Sequence, residues 1–258
     1  MTTSVSPPPP PELKLKLSRA RKQLRDLRRT LERYVASNPC SYRRDVNEEG
    51  THYLYRLLVA PAPDQVALIA DEAVHHLRSL LDHLITAMIE ARGKSANGRR
   101  FPIFDVEPIT LKDRQRFEGC IDGVTDWAHD LIVSLQPYKR GDAANTHPLW
   151  ILNRLNNRLK HTSLELFALR VGAPDVPGVV RRLEGTMLQS GDVFAEAPIN
   201  LNVEEDFEPY ISAQIAFRPA RVGVTGVNLD TLDEIHDFVR DEVLRKLVKA
   251  RFAPRLRR

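Results

Sequence analysis

The segment from Asp64 to Arg92 constrains the fold more than any other. Placed on a helical wheel at about 100° per residue, Val74, Leu77, Leu80, Leu81, Leu84, Ile85, Ala87 and Met88 share one half. Asp71, Glu72, His75, His76, Arg78, Ser79, Asp82, His83 and Thr86 share the other. A partition this clean requires a long helix lying with one face on a core. Asp64 can cap its start through the side-chain oxygen. Gly93 follows the last turn, where glycine tolerates the left-handed backbone that ends many helices.

The remaining elements follow from the same signals. Leu17, Ala20, Leu24, Leu27, Leu31 and Tyr34 recur at three and four, predicting a helix over 13–36 that stops before Asn38-Pro39. Two β-rich runs, 41–46 and 51–59, flank Asn47-Glu48-Glu49-Gly50 and predict a hairpin. Residues 94–109 read as a loop with an apolar touchdown at Phe101–Phe104. Shorter helices are expected over 110–118, over 126–136 after a Thr125 cap, and after a Thr146 cap through His161, with Pro148 in its first turn. A loop is expected at 139–145. Beyond His161 the texture changes to short strands, 164–171, 179–188, 211–217 and 221–227. A final helix opens on the capping box Thr231-Leu-Asp-Glu234.

Helices followed by strands argue an α+β fold, a helical bundle of five or six helices packed with an antiparallel sheet built from the early hairpin and C-terminal strands. The expected organisation is a disordered proline-rich leader at 1–11, a single α+β domain over 12–251 and a basic tail at 252–258. Within the domain, a helical part spans 12–162 with the hairpin at 41–60, followed by a strand-rich part at 163–228 and a helix at 230–250.

Composition bounds what such a chain does. Apolar residues make up 42% and charged residues 28%, enough apolar side chains for a real core. No run of eighteen apolar residues occurs, so no membrane-spanning helix is expected, and the start lacks the apolar stretch of a secretory signal. Cys40 and Cys120 have no CxxC partner, which fits a reducing cytoplasm. The net charge of +4 is unevenly placed: Glu12 to Tyr34 holds nine basic and three acidic residues, and Arg255, Arg257 and Arg258 follow Phe252. Basic ends of this kind attract polyanions.

Two helices carry the unusual polar residues. The candidate binding residues of the long helix are His75, His76, Arg78, Asp82 and His83, with Arg78 and Asp82 at ion-pair spacing. The face either meets solvent or another polar helix, or contacts a partner chain or nucleic acid. His76 and His83 stand two turns, roughly 10 Å, apart along the axis, too far to share one ion, and no HExxH or ExxH motif is present. The second helix, THPLWILNRLNNRLKH, sets Trp150, Arg154, Asn157, Arg158 and His161 apart from its Ile151/Leu152/Leu155/Leu159 stripe. Arginine offers fixed cationic donors and histidine exchanges a proton near neutral pH, so Arg154, Asn157 and His161 are candidate catalytic residues for metal-free phosphodiester cleavage, with Trp150 and Arg158 as binding residues. Alternatively, Arg158, Lys160 and His161 only complement the helix dipole. No GxSxG, phosphate-binding glycine loop or GxGxxG occurs, so no cofactor is expected.

The blocks HHLRSLLDHL, FPIF, LQPY and HPLWILNRLNNRLKH, in that order over about 50–165, resemble an uncharacterised bacterial and phage protein family common in actinobacteria. The chain also resembles the HEPN helical domains, named for higher eukaryotes and prokaryotes nucleotide-binding. Their signature is an arginine and a histidine with four to six residues between them on one helix at a dimer interface, and Arg154 and His161 have six between them. The position after the arginine departs from that pattern, being Leu155. The resemblance implies RNA or another polyanion as partner, a homodimer, and a metal-independent ribonuclease of a defence or toxin type. A non-enzymatic interaction or oligomerisation module and a metal-dependent hydrolase in a helical bundle stand as alternatives.

Overall fold

The computed structural model describes residues 10–159, 165–172, 180–181, 190–200, 210–218 and 227–252. It is an α+β protein, with helices α1 (Pro11–Ala36), α2 (Gln65–Glu90), α3 (Leu111–Ile121), α4 (Asp126–Ser134), α5 (Pro148–Leu159), α6 (Leu229–Phe238) and α7 (Arg245–Phe252). Its strands are β1 (Cys40–Val46), β2 (His52–Val59), β3 (Glu165–Gly172), β4 (Val180–Arg181), β5 (Val193–Pro198) and β6 (Tyr210–Arg218). The chain divides into two compact units, one formed by 1–25, 69–163 and 230–258, the other by 26–68 and 164–229. No helix among the described residues is long and apolar enough to cross a membrane.

The strand-rich unit holds a four-stranded antiparallel sheet, β1-β2-β5-β4, and a separate β3-β6 pair. The early hairpin therefore joins a later strand, with Tyr53 opposite Ala197. Its turn is held by Asn47, whose Oδ1 accepts from the Thr51 and His52 amides at 2.8 and 3.0 Å, while Gly50 takes φ +68°. Tyr42, Tyr55 and Phe194 pack together across the three strands with ring centroids 5.9–6.4 Å apart, Tyr42 edge-on to Phe194 and the other two pairs tilted. The β5 strand, VFAEAP, escapes the sequence patterns because its inward positions Ala195 and Ala197 are small and weakly β-forming. Of the strand expected at 179–188 only Val180–Arg181 is described, and 221–226 lie outside the described residues.

The helical unit buries the apolar half of α2. Val74, Leu77, Leu80, Leu81, Leu84 and Ile85 are each at most 2% exposed, and they share the core with Leu149, Leu152 and Leu155 of α5 and with Leu232, Ile235, Val239 and Val243. Arg21 of α1 reaches Asp233 of α6 at 2.6 Å. A π-helical segment, Val239–Leu244, joins α6 to α7.

Four helix boundaries differ from expectation, each for a local reason. The first turn of α2 is closed by the Val66 amide on the Pro63 carbonyl at 2.9 Å rather than by the Asp64 side chain. The stretch 137–146 is a 3₁₀ segment broken at Gly141 (φ +56°), where a plain loop was expected. Helix α6 begins at Leu229, so Thr231 lies inside it instead of capping it. The cap of α5 is His147, not Thr146: the Leu149 amide donates to His147 Nδ1 at 3.1 Å, whereas the Thr146 hydroxyl turns back to the Ala143 carbonyl.

That cap has a pH consequence. Burial, with Arg140 nearby, lowers the His147 pKa to about 4 from an ordinary 6.5, and only the neutral ring can accept the amide bond. A depressed folded-state value means the cap's contribution is complete above about pH 6.5 and is lost as pH falls toward 4. Unfolding free energy is expected to drop by up to roughly 3 kcal/mol across that window. His147→Asn, which caps without titrating there, should flatten the dependence in urea melts taken at several pH values. An unchanged slope in the variant would assign the dependence to other groups.

Candidate functional site

The site begins with the loop Phe101–Phe104, which has no secondary structure of its own and yet leaves little of its backbone unpaired. Arg78 and Asp82 lie one turn apart on α2 and meet at 3.0 Å. Together they hold Phe101: Arg78 Nη2 donates to its carbonyl at 2.9 Å, and its amide donates to Asp82 Oδ1 at 3.0 Å. Gln136, fully buried, continues the clamp. Its Oε1 accepts from the Phe104 amide and its Nε2 donates to the Pro102 carbonyl, both at 3.0 Å, with a further bond to the Ile132 carbonyl. The Tyr138 amide donates to the Phe104 carbonyl at 3.2 Å. Phe101 and Pro102 are buried as a result. Burial lowers the pKa of Arg78, with Asp82 opposing the shift, but a guanidinium stays charged inside a protein.

Pinned this way, the loop forms one wall of a groove of about 530 Å³. From α2 the lining is His75, Arg78, Ser79, Asp82 and His83; from α5 it is Asn153, Asn156 and Asn157; Arg100 and Arg116 complete it with Cys120. A second depression of about 240 Å³ shares Ile103, Phe104, Arg116, Asn153 and Asn157 as walls and adds Asp105, Trp150 and Arg154. The polar faces of α2 and α5 that stand out in the sequence therefore line one continuous feature.

Charge in the groove is unbalanced. Asp82 is matched by Arg78, while Arg100 and Arg116 are exposed and have no carboxylate at ion-pair distance among the described residues. The Arg116 guanidinium lies over the Phe104 ring at 5.6 Å, a cation–π placement that leaves its N–H edge free for an anion. His83 donates from Nδ1 to the Ser79 carbonyl at 2.7 Å, which leaves Nε2 as its outward nitrogen.

The other predicted residues fall into distinct places. Arg154 lies over the Trp150 ring at 5.1 Å and 3.5 Å from Asp105, and Trp150 Nε1 donates to the same carboxylate at 3.2 Å. Asn157 lines both depressions. His76 does not reach the groove: its Nδ1 is sealed from solvent without a partner, and burial together with Lys16, His75 and Arg19 lowers its pKa. It lies toward the α1 side of the helix, where Gln23 donates to Glu72 and Lys16 Nζ donates to Ser79 Oγ at 3.0 Å. His161 and the side chain of Arg158 lie outside the described residues. No group of three or more histidine, cysteine or acidic side chains able to hold a metal ion occurs among the described residues.

Sequence reasoning missed Gln136, Arg100, Arg116, Asn153 and Asn156. The asparagines stand in the same NRLNN run as Arg154, on positions three apart, and that periodicity was the available signal. Arg100, Arg116 and Gln136 come from a loop, another helix and a helix end, and only folding brings them to α2. No protein-family model, curated protein or solved structure matches the chain.

Proposed function

We propose that this groove binds nucleic acid, in an HEPN-like helical protein of the type suggested by Arg154 and His161. The observation that supports it most is the pair of unmatched arginines, Arg100 and Arg116, set in a concave surface whose other polar groups are the Arg78–Asp82 pair, a serine, asparagines and histidines. Phosphate oxygens are strong acceptors for guanidinium N–H groups, and asparagine supplies both a donor and an acceptor for bases or sugars. Arg154, on the same helix as Asn157 and beside the groove, would orient a phosphodiester, with His161 as acid and base in metal-independent RNA cleavage.

Fluorescence anisotropy with a labelled single-stranded RNA tests the binding. Arg100→Glu and Arg116→Glu are each expected to weaken it by about tenfold or more and to lower its salt dependence. Affinity unchanged in both variants sinks the proposal. Cleavage of the same RNA in EDTA, abolished by His161→Ala, tests the enzymatic half separately. The rival reading, docking of a partner through the Arg78–Asp82 face, is less favoured because both side chains are engaged on Phe101 within the chain.

A further inference from the structure

The groove is graded in polarity. Arg100 and Arg116 are exposed, whereas Asn156, on α5, is only 9% exposed. The Asn156 amide makes no hydrogen bond among the described residues, yet neither of its polar atoms is among those sealed from solvent, as Arg78 Nη1 is. A mostly buried amide without a partner is costly. Its remaining access is to the groove it lines, so a ligand group entering there recovers the missing bonds.

A ligand that complements this gradient has an uncharged polar end and an anionic end. On the nucleic-acid reading above, on which this rests, we infer that the groove takes one unpaired nucleotide, its base turned inward onto the Asn156 amide and its phosphate outward onto Arg100 and Arg116. The volume of about 530 Å³ falls in the range of pockets that enclose a small molecule. An asparagine amide presents a donor beside an acceptor, the complement of a base edge such as that of adenine. In a duplex the bases are stacked and paired, and only their groove edges are reached, by a helix or ribbon laid into the major groove. A concave pocket with a recessed amide instead receives a base that has left the stack.

The test compares a short labelled RNA with the same backbone carrying abasic sites, and uses an unlabelled duplex as competitor. Wild type is expected to prefer the base-bearing strand by about tenfold, the worth of one good amide–base contact. Asn156→Ala should erase that preference, whereas Arg116→Ala should weaken both strands alike. Equal affinity of wild type for the two strands, or a duplex that competes as well as the single strand, overturns the inference while leaving nucleic-acid binding standing. These wild-type comparisons need no variant to fold. Failure of every strand to bind removes the broader proposal as well.

Discussion

The substitution Gln136→Glu is expected to lower the unfolding free energy by about 3–5 kcal/mol at neutral pH, the range for leaving an uncompensated charge in the interior. Gln136 has no exposed surface, and its Nε2 donates to the Pro102 and Ile132 carbonyls. An ionised glutamate cannot donate, so it would face two carbonyl oxygens with like partial charge. Protonation restores one donor, so the loss should shrink as pH falls through the burial-raised pKa of the new carboxyl. The milder Gln136→Ala leaves the Phe104 amide and the Pro102 carbonyl unpaired and is expected to cost about 2–3 kcal/mol at all pH values. Urea unfolding followed by circular dichroism distinguishes the two. A glutamate variant within about 1 kcal/mol of wild type would mean that water reaches the site.

Asp82→Ala is the second large effect, expected at about 2–4 kcal/mol, because it strands both the Phe101 amide and a largely buried guanidinium. Asp82→Asn keeps the acceptor and should cost about half as much. The double variant Arg78→Ala/Asp82→Ala should cost less than the sum of the single changes by roughly 1–2 kcal/mol, since each single change leaves the other partner unsatisfied. Thermal unfolding of the four proteins gives this coupling directly. Strict additivity would reduce the pair to an ordinary surface contact worth a few tenths of a kcal/mol.

These residues also show where sequence reasoning works. The apolar half of α2 repeats within one helix, so periodicity places it without tertiary information; the hairpin is likewise set by local turn chemistry at Asn47 and Gly50. The spacing of Arg78 and Asp82 predicts their ion pair, but not that both hold Phe101, nineteen and more residues away. Gln136 reads as the last polar residue of a helix before Pro137, and nothing local marks it as a buried three-bond contact. At α5, His147 takes the capping role expected of Thr146 because the chain buries the imidazole where Leu149 needs an acceptor. The α2 and α5 polar faces were legible as faces; the cationic side chains completing the groove were not, because they arrive from elements distant in sequence.

The loop clamp carries one consequence for how this protein can change. Arg78, Asp82 and Gln136 grip peptide groups rather than side chains, so the hold is indifferent to which residue stands between the gripped positions. Ile103 is half-buried, lies between them, and faces both depressions. Its side chain can therefore be exchanged to reshape the groove without loosening the frame. An insertion or deletion of a single residue has the opposite effect, because it slips all the gripped groups out of step together. The segment is thus free to vary in composition and rigid in length, which makes Ile103 a natural point for tuning what the groove accepts.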